Sequence, residues 1–377
     1  PYAYTPPVYW FTDKRFGGAY GFNTETCPGA NVPPLESVRK IIPPEHLWPV
    51  DEVWEYHCGK NNFKTLDRII TAIEKRYGIP EDTEDFAFKA QVLNYELMRP
   101  MFEAFRINIP ESTGIIQWML NSAWPRMYWQ LYDHYLMPNG AFYATRKACK
   151  PLHLAYNYGN RSVWLINDYF HDITNLSVHI RILDLHSGYL LDKVIQTGCK
   201  AESVSRVFTV PENLSTTSVW FLDLRLSDET GNEVDTNFYW LSVKPDVLDY
   251  DYKFEDWPFY TPSKEYADFS GLGNLEPVQV EAGYQTQQNG KRFAVHIEIK
   301  NPESRLAFFT EMNIKNNDTG LSVLPVFWTD NYFSLLPGES RKVTVSVEAE
   351  TVRKHSPVLT VSGWNIKTQT IQHKENV

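Results

Sequence analysis

Gly18-Ala-Tyr-Gly-Phe-Asn-Thr-Glu25-Thr-Cys-Pro-Gly29 is a glycine-flanked aromatic run that ends in a carboxylate. Strand-forming residues lead up to Glu25 and loop-forming residues follow it. In a (β/α)8 barrel, a reactive carboxylate sits at the carboxyl end of a strand, where the loops that build the site begin. Only 24 residues precede Glu25, so a strand placed there has almost nothing upstream to pair with. The chain therefore reads as the back part of a larger protein.

Downstream, Leu66, Ile69, Ile70, Ile73 and Tyr77 fall on one helical face. Lys75 and Arg76 occupy the last turn, Gly78 follows as a C-cap, and Pro80 stops continuation. The pattern predicts a second helix from Glu84 to Arg106, with Phe86, Ala90, Leu93, Leu97 and Phe105 near one stripe and a kink at Pro100. Gly114-Ile-Ile-Gln-Trp-Met-Leu120 is a short, mostly apolar run, as expected of a strand buried on both faces. Asn139 to Cys149 reads as a closing helix. Strand, long helical connection, strand, helix is the order of the last two units of a (β/α)8 barrel, which assigns residues 1–150 to the C-terminal part of such a barrel.

After Lys150 the period changes from helical to alternating. Leu176, Val178, Ile180 and Ile182 alternate with polar residues; so do Trp220, Leu222, Leu224 and Leu226, with Phe221 the one apolar residue between them. Gly188 and Gly231 mark turns, and residues 151–245 read as an immunoglobulin-like β-sandwich. Residues 246–272 are aromatic, acidic and aperiodic, and read as a linker lying on its neighbours. Alternation returns at Phe293, Val295, Ile297 and Ile299 and at Val343, Val345 and Val347, the latter after a turn at Leu336-Pro-Gly-Glu339. Residues 273–377 are accordingly a second sandwich.

A net charge of -10 argues against nucleic-acid binding, which needs a basic face. No apolar run of about 18 residues is present, so no membrane span is expected. The opening Pro1-Tyr-Ala-Tyr-Thr-Pro-Pro7 has neither the charged nor the apolar region of a signal peptide. An aromatic share of 15% suits either sugar-stacking surfaces or large aromatic cores. Cys27, Cys58, Cys149 and Cys199 are widely spaced and form no CxxC, so neither zinc nor a disulfide framework is implied. Sequons begin at Asn160, Asn175, Asn213 and Asn317, a number unsurprising in a chain rich in Asn, Ser and Thr. Gly271-Leu-Gly273 lacks the strand and helix context of a dinucleotide loop.

Six motifs occur together and in order: Phe22-Asn-Thr-Glu25-Thr, Lys75-Arg-Tyr-Gly78, Lys89-Ala-Gln91, Trp118-Met-Leu-Asn-Ser-Ala-Trp124, Trp129-Gln-Leu-Tyr-Asp133 and Lys150-Pro-Leu-His153. The combination resembles glycoside hydrolase family two, in particular the exo-β-D-glucosaminidase branch, with β-mannosidase and endo-β-mannosidase as neighbours. The resemblance covers residues 1–155 most strongly and the two sandwiches in pattern.

The resemblance implies a retaining mechanism with two carboxylates and no cofactor or metal. It implies Glu25 as the nucleophile, Trp118 as a platform under the sugar, Asn121 as a partner of a hydroxyl, and Trp124 at the entrance. Tyr9 and Trp10 would line the pocket. His57 reads as a structural or supporting residue and Cys27 as a plain thiol. The family's general acid follows an Asn well upstream of the nucleophile; the only Asn-Glu pair here, Asn232-Glu233, falls in a sandwich turn and is rejected. The acid is thus expected from the N-terminal remainder of the enzyme, as the same or a separate polypeptide, which should also cover the open edges of the two barrel strands. The expected substrate is a β-linked oligosaccharide, glucosamine first and mannose as the alternative, in a secreted, periplasmic or lysosome-like compartment. The contrasting reading is a non-catalytic carbohydrate- or protein-binding remnant.

Overall fold

The computed structural model describes residues 2–13, 15–212, 214, 217–253, 260–350 and 357–371. The sequon at Asn213 and part of the 246–272 segment lie outside them. The chain forms two compact units, residues 1–134 with 138–273 and residues 135–137 with 274–377.

The first unit begins with a helical part: α1 (Pro7–Thr12), α2 (Leu35–Ile41), α3 (Glu52–Tyr56), α4 (Asp67–Tyr77), α5 (Thr83–Ile107) and α6 (Gly140–Ala148). Its two strands, β1 (Gly21–Thr26) and β2 (Ser112–Gln117), pair in parallel from Gly21↔Ser112 to Thr26↔Gln117. Parallel strands cannot be joined by a tight turn, and residues 27–111 make the crossover. Helix α4 ends as its sequence dictates, at Gly78 with φ 86°, whose N–H donates to Glu74 O. Helix α5 starts at Asp82, whose carboxylate accepts from Asp85 N at 2.9 Å.

Helix α5 runs through Pro100, and 21 of its 25 residues are buried, so more than one stripe is covered. Charged side chains on such a helix must find partners. Glu96 accepts from the Arg76 guanidinium and from the Tyr77 phenol, and Arg76 also pairs with Asp246. Gln91 spans the gap to α6: its Nε2 donates to Val32 O at 3.0 Å and its Oε1 accepts from Gly140 N at 3.1 Å. A Cβ on Gly140 would lie 2.4 Å from Gln91 O, so only glycine lets α6 approach α5 this closely.

The first sandwich comprises β3 (Leu152–Asn157), β4 (Ser162–Asn167), β5 (Ile173–Asp184), β6 (Tyr189–Cys199), β7 (Ser203–Thr209), β8 (Val219–Ser227) and β9 (Glu233–Ser242). They form a three-stranded sheet, β3-β4-β7, and a four-stranded sheet, β6-β5-β8-β9. The alternating residues Leu176, Val178, Ile180, Ile182, Leu222, Leu224 and Leu226 all enter the core, each worth about 1.5–3 kcal/mol of burial. Phe221 points to the other face and stacks on Phe238 at 5.6 Å. The following segment carries a short antiparallel pair, β10 (Val247–Leu248) with β11 (Ser263–Glu265). It lies on the helical part, with Arg15 donating to Tyr250 O and Tyr252 O and Tyr266 stacked on Tyr4.

The second sandwich comprises β12 (Glu281–Asn289), β13 (Arg292–Lys300), β14 (Ala307–Asn316), β15 (Val326–Trp328), β16 (Phe333–Leu335), β17 (Ser340–Glu348), β18 (Pro357–Gly363) and β19 (Ile366–Ile371). Its sheets are β12-β13-β17-β15 and β16-β14-β18-β19. The Leu336–Glu339 turn closes on itself: Leu336 N donates to Glu339 Oε2 at 2.8 Å, and Gly338 takes φ 73°.

β2 ends at Gln117, and Ile116, Trp118 and Leu120 are exposed, so the described residues do not supply the cover on both faces expected of the run from Gly114 to Leu120. Its apolar character was read as burial, but β1 is its one sheet neighbour among the described residues. Phe22, also exposed, lies over Gly114, where a Cβ would come within 2.5 Å of the ring.

A second buried cluster ties α5 to the first sandwich. His153 Nδ1 faces Asp235 Oδ2 at 2.8 Å and its Nε2 faces Glu103 Oε1 at 3.0 Å, all three side chains fully buried. Two carboxylates on two ring nitrogens require a proton on each, so the imidazole is charged. Burial alone would lower the His153 pKa, but Asp235 and Glu103 outweigh it and hold it above the ordinary value. Burial opposes ionisation of Asp235 too, yet His153 and Lys150 bring it down to about 2. The His153 contribution is complete below its unfolded pKa of about 6.5 and is lost as pH rises through the higher folded value; that of Asp235 is complete above about 3.9 and is lost toward pH 2. His153→Gln is therefore expected to lower the melting temperature most between about pH 4 and 6.5, with a smaller deficit on either side. Calorimetry of both proteins across pH checks this; a deficit independent of pH contradicts it.

Candidate active site

Glu25 is the penultimate residue of β1 and is exposed at the strand's carboxyl end. Its carboxylate accepts from the Tyr2 phenol, and its backbone N–H donates to Asn23 Oδ1 at 3.2 Å. Burial, and then the bond to Glu25, push the Tyr2 phenol well above its ordinary range, so it remains a donor. The Tyr2 ring meets Trp129 edge-on at 5.8 Å and Phe63 at 6.2 Å, and Trp129 Nε1 donates to Tyr2 O at 3.3 Å. Tyr2 was missed as a site residue at the sequence level, since nothing local links positions 23 residues apart.

The end of β2 lies directly beside the end of β1. Trp118 N donates to Thr26 O at 2.9 Å, while Gln117 Nε2 and Met119 N both donate to Trp129 O, at 2.7 and 2.9 Å. Trp118 stands just past the strand, its ring 44% exposed. Asn121 is exposed and its backbone bridges Tyr132. Trp124, 47% exposed, stacks on His57 with centroids 6.3 Å apart and planes at 22°. His57 is itself pinned by Pro125 O at 2.7 Å, so it acts as a backing for Trp124. Glu25, Trp118, Asn121 and Trp124 all lie at or beyond the carboxyl ends of the two strands, the end of a parallel sheet at which βα loops build sites.

Tyr9 and Trp10 do not join them. They are 0% and 2% exposed, packed edge to face at 5.1 Å, with Trp10 against Phe105 of α5. This burial comes from the chain itself, so no added chain can open these rings to a ligand; the expectation that they line the pocket is corrected to a core role. Cys27 is fully buried, and burial raises its thiol to about 12, so it is no nucleophile. The Asp228 carboxylate accepts from Asn232 N at 3.0 Å, and Glu233 pairs with Arg225 at 3.0 Å, which places the Asn-Glu pair where the β8–β9 turn enters β9.

The arrangement offers one exposed carboxylate held by a phenol, beside aromatic rings open to solvent. The hydrogen bonds to Glu25 come from the Tyr2 phenol and, within the strand, link its backbone to Asn23. Among the described residues, no group of three or more His, Cys, Asp or Glu side chains could hold a metal ion, and no helix is long and apolar enough to cross a membrane.

The exo-beta-D-glucosaminidase Ig-fold domain family matches residues 258–366, and the mannosidase Ig/CBM-like domain family matches residues 159–243. The exo-beta-D-glucosaminidase of Streptomyces avermitilis is 36% identical over 98% of the chain, and the chain spans 42% of that enzyme's length. A mannosylglycoprotein endo-beta-mannosidase of Lilium longiflorum is 24% identical over 97% of the chain and is spanned to 43%. The crystal structure of the exo-chitosanase CsxA of Amycolatopsis orientalis superposes with a TM-score of 0.91 at 34% identity, over 98% of this chain and 45% of that one; the same enzyme has been solved in complex with PNP-beta-D-glucosamine. The chain is therefore a relative of the exo-β-D-glucosaminidases of glycoside hydrolase family two, matching less than half of their length and carrying their Ig-like domains.

Proposed function

We propose that the chain supplies the nucleophile of a retaining glycoside hydrolase that releases β-linked glucosamine. The observation that carries the reading is the place of Glu25: exposed at the carboxyl end of a parallel strand, held by the Tyr2 phenol, with Trp118 just past the end of the neighbouring strand. In this reading β1 and β2 are the last two strands of a (β/α)8 barrel. Their exposed apolar faces, Phe22, Ile116 and Leu120, are covered by the remainder of the enzyme. That remainder carries the general acid, whose carboxyl must lie about 5–5.5 Å from Glu25 for retention.

Each site residue then has a task. Glu25 attacks the anomeric carbon as the acid protonates the leaving oxygen, and a glycosyl-enzyme forms; the acid, now a base, directs water onto it. Tyr2 orients the Glu25 carboxylate for attack. Trp118 packs on the apolar face of the sugar, Asn121 bonds a hydroxyl, and Trp124 on its His57 backing borders the entrance. A mannoside would use the same machinery, so the choice of glucosamine rests on the likeness to the glucosaminidases.

In the enzyme completed by its remaining part, Glu25→Gln is expected to reduce turnover of p-nitrophenyl β-D-glucosaminide by on the order of 10⁴ or more while leaving the melting temperature nearly unchanged. Activity within a few fold of wild type would remove Glu25 from the mechanism. Tyr2→Phe deletes one hydrogen bond to a charged group, worth about 1.5–3 kcal/mol, and is expected to lower kcat/KM by about 10- to 100-fold. Steady-state kinetics on glucosaminide and mannoside in parallel measure this and the sugar preference together.

A further inference from the structure

The outward face of the β12-β13-β17-β15 sheet differs from an ordinary solvated surface. Register places three rows of side chains on it. Gly283, Glu298 and Lys342 form the first row, Gln285, His296 and Thr344 the second, and Gln287, Ala294, Ser346 and Phe327 the third. Gly283 on the edge strand carries no side chain, and a depression of about 400 Å³ opens over the first two rows. That volume falls in the range of small-ligand sites, about 300–1,000 Å³. The edge strand β12 borders it with amides. On the opposite edge strand, β15, the Phe327 ring is 49% exposed, with the Arg292 guanidinium 5.5 Å from its centroid.

The polar groups are those that bind hydroxyls. His296 Nδ1 meets Thr344 Oγ1 at 3.1 Å, which turns its other ring nitrogen to a further partner. Glu298 and Lys342 stand directly opposite one another in register, yet no ion pair joins them among the described residues. A carboxylate and an ammonium side by side can accept from one hydroxyl and donate to the next. The Phe327 ring, in the third row and outside the depression itself, offers an apolar surface for a sugar face. Steps of two residues along a strand are about 6.5–7 Å, so three rows span the length of a short oligosaccharide.

We propose that this face is a non-catalytic groove for a hydroxyl-rich, β-linked oligosaccharide. The identity of the glycan as an aminosugar polymer rests on the function proposed above; the groove itself does not. The test uses affinity electrophoresis and calorimetric titration of the full chain with soluble chitosan, glucosamine tetramer and cellotetraose. Glucosamine tetramer and chitosan are expected to bind, the Gln285→Ala/Phe327→Ala double variant to weaken binding about tenfold or more, and Glu25→Gln to bind as wild type. Absence of binding to all three glycans, or binding unaffected by the double variant, overturns the groove. In the completed enzyme the double variant is expected to retain p-nitrophenyl β-D-glucosaminide hydrolysis and to lose efficiency on polymer alone. Polymer binding without hydrolysis would sink the catalytic reading and keep the groove; hydrolysis with polymer binding unchanged in the double variant would do the reverse.

Discussion

Two parallel strands must be joined by a long crossover, and this requirement organises the helical part. β1 and β2 lie side by side, so residues 27–111 must leave one end of the pair and return to the other. Helix α5 makes the return and is buried over most of its surface. A helix so enclosed cannot leave Glu96, Arg99 and Glu103 uncompensated. Each is met by a side chain from elsewhere: Glu96 by Arg76, Arg99 by Asn237 Oδ1 at 2.8 Å, and Glu103 by His153 and Asn237. The Arg99 guanidinium also lies 3.8 Å from the Tyr239 ring centroid. The helix that closes the strand pair is thus also the element to which the first sandwich is fastened.

That fastening has a consequence for the site. Glu25 and Trp118 sit on the ends of β1 and β2, and their relative position is set by the pair's register and by Trp118 N on Thr26 O. Removing one partner of a buried ion pair is strongly destabilising because it strands a charge, and helix α5 of the crossover carries such pairs at Glu96 and Glu103. The second sandwich contributes a different surface, a polar and hollowed sheet face with one exposed aromatic ring.

The elements that were legible carry local signals. The α4 stripe with Gly78 behind it, the helices read over Glu84–Arg106 and Asn139–Cys149, and the strict alternation in β5, β13 and β17 are all short-range patterns, and the observed bounds follow them within a few residues. A local pattern is ambiguous where it has two tertiary outcomes. Apolar residues at 114–120 look alike whether a strand is covered on both faces or awaits a cover. The aromatic pair Tyr9-Trp10 looks alike in a pocket wall and in a core. The 246–272 segment has no period, since its short β10–β11 pair is joined across a long excursion.

By itself, the sequence determined the helices and strands, the change from helical to alternating period near Lys150, and Glu25 as the carboxylate at a strand end, because each is written in neighbouring residues. Only the tertiary structure decided that Tyr2 bonds Glu25, that His57 backs Trp124, that Tyr9 and Trp10 are sealed, and that His153 is clamped by Glu103 and Asp235. These pairings join residues far apart in the chain, and burial is a property of everything packed around a residue, which no local pattern records.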